Sequence, residues 1–197
     1  DFIKGGAFLI EDRTASEVFT PEDLSEEQRM IGKTTREFVD NEVQPQIPAM
    51  ENHAWEVARE LVQKAGELGL LGASIPEQYG GLGLGVFEYC LITEELARAW
   101  MSVASIIARG NGLSAGRGMT DAQRAVFLPR AARGEFLGAA AMSEPDVGSD
   151  LGNIACRARK DGDSWVINGN KYWCTFADGA DYIMLVARTS DPPDPKR

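Results

Sequence analysis

The hydrophobic spacing of this chain changes once, near Gly134, and the change separates two kinds of structure. Before Gly134, apolar residues recur at three- and four-residue steps, the period of a helix that packs on one face. After it, short apolar runs are separated by turn signals such as Asp161-Gly162 and Asn168-Gly169. Helices followed by segregated strands predict an α+β chain, because no alternation of strand and helix is present to form a parallel α/β sheet.

Four helices are predicted before Gly134. The first begins at Ser25, whose hydroxyl forms a capping box with Gln28 three residues later, and Pro45 is expected to end it. The other three run from about Trp55 to Leu68, from about Val86 to Trp100 with an apolar flank to Ile107, and from Thr120 until Pro129 interrupts or ends the helix.

The second part is predicted to be a mainly antiparallel β domain that is incomplete. Its strands are expected at Phe136–Met142, Ile154–Lys160, Trp165–Ile167, Lys171–Cys174 and Tyr182–Ala187. The tail from Ser190 to Arg197 carries three prolines, which cannot continue a central strand. So few strands close a sheet poorly, and we expect the β domain to continue beyond this sequence. The predicted divisions are an N-terminal extension over 1–24, a helical domain over 25–134 and a partial β domain over 135–197.

Composition excludes several classes of function. The 197 residues include 30 acidic and 20 basic side chains, and a net charge of −10 without a basic patch would repel the phosphates of a nucleic acid. No apolar run approaches the roughly 20 residues that span a bilayer, so no membrane span is predicted. A single histidine argues against a His-rich metal site. Three cysteines without CxxC spacing indicate small buried side chains in a reducing compartment.

General catalytic motifs are missing from the sequence. The glycines of residues 80–85 lack the GxGxxG spacing of a dinucleotide loop, and neither GxxxxGK[ST] nor GxSxG occurs. The informative segment is Met142–Asp150, where small residues, two hydroxyls and exposed amides follow a strand. Such a loop could donate several hydrogen bonds to a polar ligand, or it could be a satisfied surface turn.

Within that segment, Ser143–Asp150 resembles the TEPxxGSD signature of acyl-CoA dehydrogenases, with serine in place of the usual threonine. Three other segments resemble the same family in order and spacing: Gly66–Gly85, Thr93–Arg98 and Ile167–Thr175. Together they extend over most of the chain from Leu24 to Ala187. Four ordered motifs make the resemblance specific, whereas each one alone would be weak.

The resemblance implies a helical N-terminal domain, a central β domain and a C-terminal four-helix domain that has no counterpart in this sequence. It also implies FAD, with its isoalloxazine ring against the two matched β segments. Met142 and Ser143 fall at flavin-contacting positions of the first segment, and Trp173 and Thr175 fall on the ring-flanking segment. Ser149 occupies the position that contacts the acyl-CoA substrate in the family.

The implied reaction is the α,β-desaturation of an acyl-CoA thioester to a trans-2-enoyl-CoA, with hydride transfer to FAD. A glutamate removes the α-proton in this family, and its position is expected beyond Arg197, so no catalytic residue is assigned. Glu94 and Glu95 are interpreted as helix residues and Glu144 as a loop residue. The isolated segment is therefore expected to be inactive.

The family also implies partners and a compartment. Electron-transfer flavoprotein is the expected electron acceptor, a homotetramer the expected assembly, and the bacterial cytoplasm, or alternatively the mitochondrial matrix, the expected location. Two other hypotheses stay open, a non-catalytic interaction module derived from the family and an acyl-CoA oxidase-type flavoenzyme. The acyl group is not predicted, because segments of the chain resemble short-branched, dicarboxylic and long-chain types.

Overall fold

A computed structural model describes residues 6–114 and 118–190. The first part of the chain is helical, and the second part contains two small ladders of paired strands. The helices are α1 (Glu26–Phe38), α2 (Ile47–Glu51), α3 (Trp55–Glu67), α4 (Val86–Ala99), α5 (Met101–Ser114) and α6 (Asp121–Ala132). The strands are β1 (Gly138–Ala141), β2 (Arg157–Asp161), β3 (Ser164–Asn168) and β4 (Tyr182–Leu185). The predicted α+β class is confirmed.

Reciprocal side-chain bonds begin two of the helices where the sequence predicts them. At α1, Gln28 N donates to Ser25 Oγ at 3.1 Å, and Ser25 N donates to the Gln28 side-chain oxygen at 3.0 Å. At α6, the Thr120 amide donates to the Gln123 side-chain oxygen at 2.8 Å, and the Gln123 amide donates back to Thr120 Oγ1. Each box satisfies amides that the first helical turn leaves without a partner.

Prolines do not end helices where we expected. The α-helical geometry of α1 ends at Phe38, and helical turns then continue as a π turn over Val39–Val43 and a 3-10 turn over Gln44–Gln46, which contains Pro45. Pro129 lies inside α6, which runs on to Ala132. The last turn of α6 is held by tertiary packing, because Leu128, Ala131 and Ala132 are buried against Ile75. Burial therefore outweighs the hydrogen bond that proline removes.

One apolar core joins the helices and reaches the second part of the chain. Its fully buried side chains include Val39, Val62, Leu71, Leu96 and Ile107, and the same cluster contains Leu137 and Phe176. Ion pairs at the rim connect α1 and its continuation to α4, since Arg36 bonds Glu95 and Arg98 bonds Asp40. The pairing of Glu95 agrees with its interpretation as a helix residue rather than a catalytic base.

The two ladders differ in direction. Strand β2 pairs antiparallel with β3 around the predicted Asp161-Gly162 turn, where Gly162 has a φ of 56°. Strand β1 pairs parallel with β4, with Gly138 opposite Tyr182 and Ala141 opposite Leu185. The expected antiparallel pairing therefore holds for one of the two ladders among the described residues.

The strand predicted at Lys171–Cys174 is not formed. The Tyr172 amide donates to the Ser143 carbonyl in a loop rather than to a ladder, and Trp173 adopts a left-handed φ of 60°. An alternation of apolar and polar residues needs an adjacent strand before it becomes a ladder, and here the neighbour is the loop after β1.

The N-terminal extension forms three short 3-10 turns, Ala7–Leu9, Ala15–Glu17 and Pro21–Asp23. The Phe19 ring packs edge-on against Phe87 of α4 with centroids 5.2 Å apart. Residues 191–197 of the proline-rich tail lie outside the described residues. No helix in the described ranges is long and apolar enough to cross a membrane.

The cysteine prediction is correct for only one of the three side chains. Cys156 is buried, whereas Cys90 is exposed and Cys174 is partly exposed. Cys90 lies on the outer side of α4 beside a groove against α1, and Cys174 belongs to the loop that replaces the predicted strand.

Two helical glycines give a matched test of this packing. A Cβ at Gly66 would lie 2.6 Å from the carbonyl group of Arg133, whereas one at Gly32 would meet nothing within 4 Å. Gly66→Ala should lower the free energy of unfolding by about 1–3 kcal/mol, because backbone must move to make room. Gly32→Ala should raise it by about 0.4–1 kcal/mol. Urea unfolding of both variants measures the difference, and equal effects would contradict the contact between α3 and the end of α6.

Candidate functional site

The two segments that carry the predicted flavin contacts lie side by side. Met142 and Ser143 directly follow β1, and the Tyr172 amide donates to the Ser143 carbonyl oxygen at 2.9 Å. Trp173 is the next residue after Tyr172. The structure therefore brings the segment of Met142 and Ser143 next to the segment of Trp173 and Thr175, as the flavin prediction requires.

Lys171 joins the same two segments through its side chain. Its Nζ donates to the Met142 carbonyl at 2.8 Å and to Glu144 Oε1 at 2.8 Å. With the backbone bond from Tyr172, consecutive residues 142, 143 and 144 are each bonded to residue 171 or 172. The relative placement of the two segments thus depends on one main-chain bond and on Lys171.

Glu144 is buried and its carboxylate has three hydrogen-bond donors. Besides Lys171, the amides of Ala155 and Cys156 donate to it at 2.6 and 2.9 Å. Burial alone would raise the pKa of this carboxyl group, but the Lys171 ammonium and the two amides outweigh it and lower the pKa from 4.5 to about 2. Glu144 is therefore ionised throughout the physiological pH range, and it is too weak a base to remove a proton from a substrate.

The loop after Ser143 is a tight turn. The Glu144 amide donates to the Val147 carbonyl at 2.8 Å and the Val147 amide donates back at 3.2 Å. Pro145 and Asp146 lie between them and are exposed. Ser149, the predicted substrate contact, follows this turn and is exposed, so its hydroxyl is accessible to a ligand.

Trp173 is both exposed and strained. Its side chain is 84% exposed, and a φ of 60° is an outlier for a bulky residue. The Thr175 amide donates to the Trp173 carbonyl at 2.9 Å, which tightens the bend. Strained backbone and exposed aromatic surface are both found more often at ligand sites than elsewhere.

Thr175 lies at a cleft between this bend and the helical domain. The cleft has a volume of about 250 Å³ and is lined by Met50, Glu51, His53, Trp55, Trp100, Ser102, Ile106, Thr175 and Phe176. Phe176 closes one side by packing edge-on against Trp55, with ring centroids 6.0 Å apart. Thr175 therefore has helical-domain residues as neighbours, a contact that the sequence pattern did not predict.

The contribution of Lys171 was not predicted either. A lysine in an alternating segment is ordinarily a solvent-exposed strand residue, but here its side chain is only 6% exposed. The sequence did contain one signal, a pair of opposite charges, because Glu144 lies in one matched segment and Lys171 lies in the other. Their contact crosses 27 residues of chain and became visible only in the fold.

Comparison with known proteins gives matches over nearly the whole chain. Residues 25–135 match the family model described as "Acyl-CoA dehydrogenase, N-terminal domain". Residues 139–197 match the family model described as "Acyl-CoA dehydrogenase, middle domain". The sequence is 40% identical over 193 residues to a probable acyl-CoA dehydrogenase of Bacillus subtilis, covering 95% of this chain and 32% of that protein. It is 39% identical over 189 residues to (2S)-methylsuccinyl-CoA dehydrogenase of Cereibacter sphaeroides, covering 92% and 33%.

A solved structure agrees with these sequence matches. The crystal structure of an acyl-CoA dehydrogenase complexed with FAD from Bacillus anthracis superposes with a TM-score of 0.84 at 40% identity. The alignment covers 95% of this chain and 33% of that one. This chain therefore spans about a third of the length of the curated relatives named above.

The low pKa of Glu144 predicts a pH dependence of stability. In the folded protein the pKa of Glu144 is about 2, below the ordinary value of 4.5. The ionised carboxylate therefore contributes fully to the free energy of unfolding above pH 4.5, and this contribution is lost as the pH falls toward 2. The contribution should be on the order of 3 kcal/mol. Glu144→Gln should lower the free energy of unfolding at pH 7 and show a smaller loss than the parent between pH 4.5 and 2.

The matched control for this measurement is Glu135→Gln. It removes the same charge from an exposed carboxylate that bonds Arg133 on the surface, where ion pairs contribute little. Denaturant unfolding across the pH range measures all three proteins. Parallel curves for Glu144→Gln and the parent would show that the buried carboxylate does not stabilise the fold.

Proposed function

This chain belongs to the acyl-CoA dehydrogenase family, and we propose that the enzyme containing it oxidises an acyl-CoA thioester to a trans-2-enoyl-CoA with FAD. The observation that carries the proposal is the hydrogen bond from the Tyr172 amide to the Ser143 carbonyl. It places the two predicted flavin-contacting segments together. The family membership and the FAD named for the similar structure support the same reading.

The residues at this junction fit a planar ring with polar edges. Met142 and Trp173 are 39% and 84% exposed and offer apolar surface, while Ser143 adds a hydroxyl beside them. Indole rings stack on aromatic ligands, and hydroxyl and amide groups stabilise negative charge on their polar edge. Met142, Ser143, Trp173 and Thr175 would therefore hold FAD, which would supply the acceptor for the hydride. Ser149 would bind the acyl-CoA.

No catalytic base is proposed among the glutamates considered above. Glu144 has a pKa of about 2, and the pKa of Glu95 is lowered by its bonds to Arg36 and Arg98. General bases work best with a pKa near the operating pH. We propose that the base belongs to residues beyond Arg197.

We also propose that residues 25–134 form a helical domain and that residues 135–197 form part of a β domain.

The decisive experiment is an anaerobic titration of the full-length purified protein. Adding straight-chain, branched or dicarboxylic acyl-CoA should remove the visible flavin absorption and yield the enoyl-CoA, with electrons then passing to electron-transfer flavoprotein. A full-length protein that neither contains nor takes up FAD would contradict the proposal and favour a non-catalytic module. Stoichiometric peroxide in air would instead indicate an oxidase.

The homotetramer and the bacterial or mitochondrial location also stay predictions.

Substitutions at Ser143 test the predicted hydroxyl contact. Ser143→Ala should weaken FAD binding by about two- to tenfold, the effect expected from losing one hydrogen bond. Ser143→Thr keeps the hydroxyl and should bind as tightly as the parent. Fluorescence titration of the full-length apoprotein with FAD measures both, and Ser164→Ala, on an exposed strand, is the control. Equal affinities for the Ala and Thr variants would show that this hydroxyl does not contact the cofactor.

A further inference from the structure

Lys171 and Glu144 form an unusual ion pair for this chain. Their side chains are 6% and 5% exposed, whereas each other ion pair between described residues has at least one partner that is a third or more exposed. Burying two charges has a desolvation cost that their attraction often fails to offset. A buried pair of this kind therefore suggests a role other than stability alone.

The contacts of Lys171 indicate what that role is. Glu144 already accepts hydrogen bonds from the Ala155 and Cys156 amides, so part of its charge is balanced without Lys171. The lysine makes a second bond, to the Met142 carbonyl, which is a neutral group just before Ser143. Lys171 therefore bonds both neighbours of Ser143, at the main-chain carbonyl of Met142 and at the side-chain carboxylate of Glu144.

Without Lys171, the bond from the Tyr172 amide to the Ser143 carbonyl is the hydrogen bond that would remain between the two segments within the described part of the chain. One hydrogen bond fixes a distance but leaves rotation about it free, whereas bonds at three consecutive residues fix the orientation too. On the other segment, Trp173 directly follows Lys171 and Tyr172 in the sequence, and its strained φ needs support from its neighbours. The orientation of Ser143 relative to Trp173 therefore depends on Lys171.

We propose that Lys171 is a positioning residue for the flavin site, holding Met142 and Ser143 in register with Trp173 by bonding the Met142 carbonyl and the Glu144 carboxylate. The inference rests on the proposed function, because it concerns how the residues assigned to FAD are held. Lys171 acts through these residues and is not assigned a contact with the cofactor.

The test compares three variants of the full-length protein. Lys171→Met removes both bonds but leaves the Glu144 carboxylate buried without its cation, so it should lower both thermal stability and FAD affinity. Lys171→Met with Glu144→Gln removes that stranded charge and keeps an acceptor oxygen for one of the two backbone amides. Lys160→Met, on the exposed end of β2, makes the same change in charge away from the site.

If Lys171 positions the flavin site, the double variant should recover thermal stability without recovering FAD affinity. The double variant should melt at a higher temperature than Lys171→Met, because no unpaired charge is buried, yet bind FAD about tenfold more weakly than the parent, the scale of a lost charge-assisted hydrogen bond. Its bound flavin should also show a shifted visible absorption band. The Lys160→Met variant should match the parent in all three readouts.

The outcomes distinguish this inference from the proposed function. A parent protein that does not bind FAD would contradict the proposed function itself. A parent that binds FAD, together with a double variant of equal affinity and unchanged spectrum, would overturn the role of Lys171 alone and show that the pair serves only the fold. Fluorescence titration, visible absorption and thermal unfolding of the apoprotein provide these readouts without an activity assay.

Discussion

The second part of the structure depends on one buried carboxylate. Glu144 receives hydrogen bonds from Ala155, Cys156 and Lys171, which come from two other stretches of the chain. Ladders as short as β1 with β4 and β2 with β3 bury little apolar surface, and strand pairs of this size are marginal alone. A charged acceptor with three donors adds a second non-local connection to the pairing of β1 with β4.

The sequence predicts the helices well because their signals are local. The capping boxes at Ser25 and Thr120 need only residues three apart, and both are present. Predictions failed where distant packing decides the result. Pro129 does not end α6 because the residues around it are buried against Ile75, and Lys171–Cys174 forms no strand because the neighbouring chain is a loop. Proline and alternation are local signals, and the contacts that override them are not.

At the candidate site too, some residues were predicted from the sequence and others were not. Resemblance to the family selected Met142, Ser143, Trp173 and Thr175, and the fold brings their two segments together. It could not reveal Lys171, since a lysine in the sequence carries no sign of burial and its partner lies 27 residues away. The left-handed conformation of Trp173 was equally hidden, because it results from the bonds that surround it.

The electrostatics of Glu144 also explain why holding a cofactor and moving a proton require different residues. A carboxylate with three donors is stabilised as an anion, and this makes it a firm anchor for backbone and a poor base. A base that removes an α-proton needs the opposite environment, with few donors and a raised pKa. If Glu144 were freed from Lys171 to become more basic, the segments around Ser143 would lose the contact that orients them. Anchoring and proton abstraction therefore cannot be combined in this carboxylate, and the proposed reaction needs a separate base in a drier position with fewer hydrogen-bond donors.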